Sequence, residues 1–222
     1  MSTPDIHLRT LFLFDSAGRI RGTREPDPDP GPKFALIRGR TSCAWAVRAD
    51  VPQGIAEELD GLAGAEPPVA NFRDAPVHAE RYRVLAGGEV YSGPAFTFPT
   101  TVEKPEGTVR VKALPLLARH LSGWTAAEIP GRSPIVAVVE DGYAVSICFC
   151  ARRSDTAAEA GLETAAAFRG RGLGPQVAAA WAWAVRASGR VPLYSTSWEN
   201  GASLAVARKL GLVAYASGWS LG

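Results

Sequence analysis

The chain has 222 residues, enough for a large domain to bury roughly 70% of its unfolded surface, so neither a disulfide framework nor a structural metal is needed to hold a core. Its 24 Lys and Arg against 22 Asp and Glu, mixed along the chain, leave a formal charge of +2 and no overall field suited to gripping nucleic acid. Three cysteines make no disulfide framework, no run of about eighteen apolar residues offers a membrane span, and the start (Ser2, Asp5, Arg9) lacks a signal peptide's pattern, so a reducing, cytoplasmic setting is expected.

Leu8 to Phe14 is rich in β-formers and, with the turn Asp15-Ser16-Ala17-Gly18 and a return over Arg19 to Thr23, reads as a hairpin. Pro26, Pro28, Pro30 and Pro32 then support neither ladder nor helix and predict an extended surface loop. Phe34 to Arg38 and Ser42 to Val47 read as short strands, followed by a helix capped by Asp50, started by Pro52 and running through Ile55, Glu58 and Leu59. Between Ala65 and Gly93 proline and glycine break the pattern, leaving room for a helix near Val77 to Leu85. The aromatics of Tyr91 to Pro99 suit a packed edge segment or a loop over a pocket mouth, and Leu114, Leu117 and Leu121 predict a short helix ended by Gly123.

From Pro134 the pattern sharpens. Ile135 to Val139 and Tyr143 to Ala151, joined by Glu140-Asp141-Gly142, form a hairpin whose strands are apolar on both faces, as in the middle of a sheet. Cys148 and Cys150 alternate onto one face and read as packed thiols. The next strand, Glu159 to Ala166, puts Glu159, Gly161 and Glu163 on one face and Ala160, Leu162 and Thr164 on the other.

That strand runs into Arg169-Gly170-Arg171-Gly172-Leu173-Gly174, then Pro175 and an Ala-rich helix to about Ser188 with Val177, Trp181 and Val185 as its core stripe. A strand, a glycine turn and a helix start in sequence present unpartnered N–H groups and the positive end of a helix dipole, flanked by two arginines. This is a cradle for an anion such as a diphosphate. It lacks the Gly-Lys-Ser/Thr ending of a Walker loop, and Val177 replaces the third glycine of a dinucleotide fingerprint. Val191 to Ser197 then reads as a strand, Asn200 as the cap of a helix to Leu210, and Val213 to Ser220 as a last strand.

Arg169, Gly172 and Gly174 carry the R/Q-x-x-G-x-G/A signature, and with the preceding hairpin and the following helix, strand and Lys209-Leu210-Gly211-Leu212 the region from Ser133 to Gly222 resembles the GNAT superfamily of acyl-CoA-dependent N-acetyltransferases. The resemblance implies a mixed α/β fold with a mostly antiparallel central sheet, splayed at the acetyl-CoA site and flanked by helices. Residues 106–222 would form the acetyl-CoA-binding region and residues 1–105 a family-specific segment that could wall the acceptor pocket.

It also implies acetyl transfer from acetyl-CoA to a primary amine, expected to be that of a small molecule, with no nucleic acid, membrane or metal as partner and a homodimer left open. Leu162 and Thr164 would present backbone groups to the pantetheine arm; Arg169, Gly170, Arg171, Gly172 and Gly174 would hold the diphosphate; Asn200 and Ser203 would complete the cofactor site. The general base is expected to be a carboxylate or a water-linked group near the splay, and of the two candidates Glu163, beside Thr164, is preferred to Glu159. The alternative for Glu163 is a structural salt bridge with Arg152 or Arg153. Ala207 stands where many members carry a tyrosine acid, leaving Ser203, Tyr194, Tyr215 or an unassisted thiolate. The rival functions are a non-catalytic acyl-CoA-binding domain and a protein or peptide N-acetyltransferase.

Overall fold

The structure is a computed structural model that describes residues 3–222. The chain divides into two compact units: the first runs through Phe96 and adds Ser195–Gly201 and Ala214–Gly222, and the second comprises Thr97–Tyr194 and Ala202–Val213.

In the first unit, α1 (Thr3–Leu11) leads into the small hairpin of β1 (Phe12–Phe14) and β2 (Ile20–Thr23). β3 (Phe34–Gly39), β4 (Cys43–Val47), α2 (Gln53–Gly64), α3 (Ala79–Ala86) and β5 (Val90–Thr97) follow, and β11 (Val213–Leu221) returns from the end of the chain to pair antiparallel with β3. Strand alternation decides the core: Phe34 and Leu36 face Leu59, Tyr82 and Trp219, while Ala35 and Ile37 face Leu8, Phe12 and Ile20.

Three expectations for local structure are corrected. Leu8 to Leu11 is the end of a helix rather than a strand, because buried Pro4, His7 and Leu8 form a helical stripe that begins upstream of the β-rich window. Asp50 does not cap α2; it binds Arg48 through two hydrogen bonds of 2.7 and 3.0 Å, and the cap position is Pro52. Leu114–Leu116 forms a single 3-10 turn, although Leu117 and Leu121 are buried as the spacing requires. Of Tyr91 to Pro99, the part up to Thr97 lies in β5, where the Pro94 carbonyl accepts from the Thr196 N–H at 3.3 Å.

The second unit contains β6 (Val109–Val111), α4 (Glu128–Gly131), β7 (Ile135–Glu140), β8 (Tyr143–Arg153), β9 (Ala157–Thr164), α5 (Leu173–Arg186), β10 (Val191–Ser195) and α6 (Gly201–Lys209). Its strands are ordered β6-β7-β8-β9-β10 and are antiparallel except for β9 with β10, which α5 connects as a crossover. Asp141 (φ 49°) and Gly142 (φ 80°) make the turn of the β7–β8 hairpin, both left-handed as a twisted two-residue turn demands. Val177, Trp181 and Val185 are fully buried beneath α5. On the outer side of α5 the Trp183 indole donates to the Val102 carbonyl at 2.8 Å, and Arg186 donates to the carbonyls of Phe98 and Pro99.

Candidate functional site

β9 leaves the sheet at Thr164, passes through a 3-10 turn (Ala166–Phe168), and reaches α5 through Arg169 to Gly172. The strand thus begins and ends two residues before the expected Glu159 to Ala166. The three glycines of the turn act differently. Gly170 (φ 78°) and Gly172 (φ 81°) hold left-handed backbone, which costs an L-residue about 1–2 kcal/mol, and a Cβ on either would meet nothing within 4 Å. Gly174 has ordinary backbone, but a Cβ there would lie 3.4 Å from both Leu162 and Val206, so it sets how closely α5 approaches β9 and α6. Gly172 occupies the cap position of α5 with no side-chain cap, so the first-turn N–H groups have no side-chain acceptor from the cap residue.

Both arginines of the turn are held in place. Arg169 donates through Nε to the Thr164 carbonyl at 3.1 Å. Arg171 lies over the Phe168 ring and pairs with both carboxylate oxygens of Glu140, at 2.6 and 3.2 Å. That pair is at the surface, so it orients the guanidinium more than it stabilises the fold.

The edge of β9 carries the second feature. Its parallel register with β10 covers Ala157–Val191, Ala158–Pro192 and Glu159–Leu193, whereas its antiparallel register with β8 continues to Thr164–Ser146. The Ala165 N–H donates to the Val145 carbonyl, so alternate residues Glu163 and Gly161 also turn their backbone toward β8. Leu162 and Thr164 therefore turn N–H and C=O to the opposite edge, past the end of the β10 register. The Arg169 bond to the Thr164 carbonyl fits this direction, and the Thr164 hydroxyl is pinned 2.8 Å from that of Ser146.

Glu159, Gly161 and Glu163 share one face of β9, but the two carboxylates differ. Glu159 is buried and lies 3.9 Å from Arg152. Glu163 is exposed, and its Oε2 accepts the Trp124 indole N–H at 3.0 Å. Arg152 lies beside Glu159 instead of Glu163, and the Arg153 guanidinium donates to the Ser133 carbonyl at 2.9 Å. The candidate acids are also placed. Tyr194 is buried, donates to the Ser203 carbonyl at 3.3 Å, and has its pKa pushed up to about 12, chiefly by burial. Ala207 is buried within α6, and Tyr215 lies in the first unit with its ring 6.0 Å from that of His7. Asn200, just before α6, falls in the first unit and Ser203 in the second.

Sequence reasoning missed Trp124 and Phe149. The Phe149 ring lies across from Gly161, where a Cβ would come within 2.4 Å of it, and Trp124 stands edge-on to Phe149 at 4.8 Å and 86°. The Phe149–Gly161 pairing could be counted from the hairpin register, but nothing in the local pattern around Trp124 points to β9.

Residues 136–216 match a family model described as GNAT acetyltransferase, and no curated protein sequence matches the chain. A solved GNAT-family structure from Novosphingobium aromaticivorans is similar over 60% of this chain and 64% of its own length, at 21% identity and a TM-score of 0.50. A Drosophila protein is similar over 86% of this chain and 75% of its own, at 14% identity and a TM-score of 0.50. A GCN5-related N-acetyltransferase-like protein from Streptococcus suis covers 86% and 85%, at 18% identity and a TM-score of 0.48. At these identities the likeness is one of fold.

Proposed function

From the match of residues 136–216 to the GNAT acetyltransferase family model, we propose that the protein belongs to that family and transfers an acetyl group from acetyl-CoA to the primary amine of a small molecule. The observation that carries this reading is the junction of two backbone features: the edge of β9 beyond the β10 register, and the uncapped start of α5 one turn later. An extended amide-containing arm suits the first and a diphosphate the second, so the chain's own groups fit coenzyme A.

Acetyl-CoA, when bound, supplies a thioester carbonyl and a thiolate leaving group. The amides of Gly172, Leu173 and Gly174 would hold the diphosphate, supported by the helix dipole and by Arg169 and Arg171. Leu162 and Thr164 would bind the pantetheine amides as an added strand. Glu163, exposed and anchored through Oε2 alone, would take the proton of the incoming ammonium at Oε1. Glu159, buried 3.9 Å from Arg152, would shape the floor of the site rather than meet the amine. Tyr194, with a pKa of about 12 and its hydroxyl directed at Ser203, is poorly suited to protonate a thiolate. A thiol of pKa about 8.5 leaves without such help.

The buried Ala207 favours one second reading, a domain that binds acyl-CoA without turnover. Incubation with radiolabelled acetyl-CoA and a panel of tyramine, spermidine, L-lysine and a lysine-containing peptide separates the two. Label on a small amine supports the proposal; label on the peptide alone assigns a protein acceptor; saturable binding with no transfer establishes the second reading.

A further inference from the structure

We propose that Trp124 is a positioning residue for Glu163, fixing the carboxylate through a relay that starts and ends on β9. This rests on the reading of Glu163 as the general base. The relay runs from Gly161, whose missing side chain seats the Phe149 ring, to Phe149, on which Trp124 stands edge-on, to the Trp124 indole N–H, which donates to Glu163 Oε2 at 3.0 Å. The Arg132 guanidinium closes over both rings, 5.6 Å from the Trp124 centroid and 5.3 Å from that of Phe149, and Glu128 holds it at 3.2 Å.

A carboxylate on the exposed face of a strand samples many rotamers unless something binds it; the indole N–H, a donor only, holds Oε2, and among the described residues Oε1 accepts no hydrogen bond and is left facing the acceptor side.

The test is a cycle of Trp124→Phe, Glu163→Gln and the double variant, assayed with acetyl-CoA and whichever of tyramine, spermidine or L-lysine turns over fastest. Trp124→Phe keeps the ring and removes the donor, and it should lower kcat about tenfold with the KM for acetyl-CoA unchanged. Glu163→Gln should lower kcat about a hundredfold, and the double variant should be no slower than Glu163→Gln alone. Should Trp124→Phe leave kcat unchanged, or multiply the loss in the Glu163→Gln background, Trp124 is a packing residue and the proposal is overturned. If Glu163→Gln is itself silent, or no amine is acetylated, the underlying assignment of the base fails and this inference with it. A measurement independent of turnover guards against misfolding: the Trp124 indole N–H cross-peak should move with the ionisation of Glu163 in the unmodified protein and lose that response in Glu163→Gln. An indole signal indifferent to Glu163 overturns the proposal equally.

Discussion

The glycine turn and the carboxylate face lie close together along the chain, yet they are built from different materials. In the proposed site the groups at the turn are main-chain amides, which the left-handed Gly170 and Gly172 would aim. On the face the proposed site uses side chains brought together by register and tertiary packing: Glu163 from β9, Phe149 from β8, and Trp124 from the connection before α4. A site made of backbone is encoded where it stands, whereas one made of side chains is encoded wherever its partners happen to lie.

That difference governs what could be read from sequence. The β7–β8 hairpin, β9 and α5 were legible because each has a local cause: Asp141-Gly142 for the turn, alternation for the strands, and a four-residue apolar stripe for the helix. Their order, together with Arg169, Gly172 and Gly174, carried the resemblance to the GNAT superfamily and so the expected fold. Leu8 to Leu11 was misread because β-rich composition outweighed a helical stripe starting at Pro4. The environments of Glu159 and Glu163 were not legible, since two glutamates on one face look alike until Arg152 and Trp124 are placed beside them.

Substitutions at the two regions should therefore fail in different ways. The largest effect is expected on the side-chain face: Glu163→Gln should reduce kcat about a hundredfold while the Kd for acetyl-CoA stays fixed, whereas Glu159→Gln should chiefly lower Tm. On the backbone side, Gly172→Val places a β-branched residue at φ 81°, and should weaken acetyl-CoA binding about thirtyfold by calorimetry. Replacing Arg169 and Arg171 together with Ala should weaken binding about tenfold, and increasingly less as salt is raised, since only the charge and not the amides has been removed. Gly161→Ala drives a methyl into the Phe149 ring and should cost about 1–3 kcal/mol of stability in denaturant titration, together with a loss of kcat, sharpening the claim that this glycine serves the face rather than the strand.

The smallest effect concerns Tyr194. Its folded pKa, raised from 10.0 to about 12, stabilises the neutral phenol, so its contribution is complete below pH 10 and is lost as pH rises toward 12. Tyr194→Phe should flatten that part of the stability profile and leave turnover near neutral pH within about threefold of the unmodified enzyme. A large loss of kcat would instead make Tyr194 the acid.

The account depends most on coenzyme A lying along the edge of β9 with its diphosphate at the head of α5. An amide shift map recorded during titration with acetyl-CoA tests this directly. Leu162, Thr164 and the amides from Gly170 to Gly174 should show the largest saturable shifts, all with one Kd. Saturable shifts confined to other residues, with those amides unmoved, would contradict it.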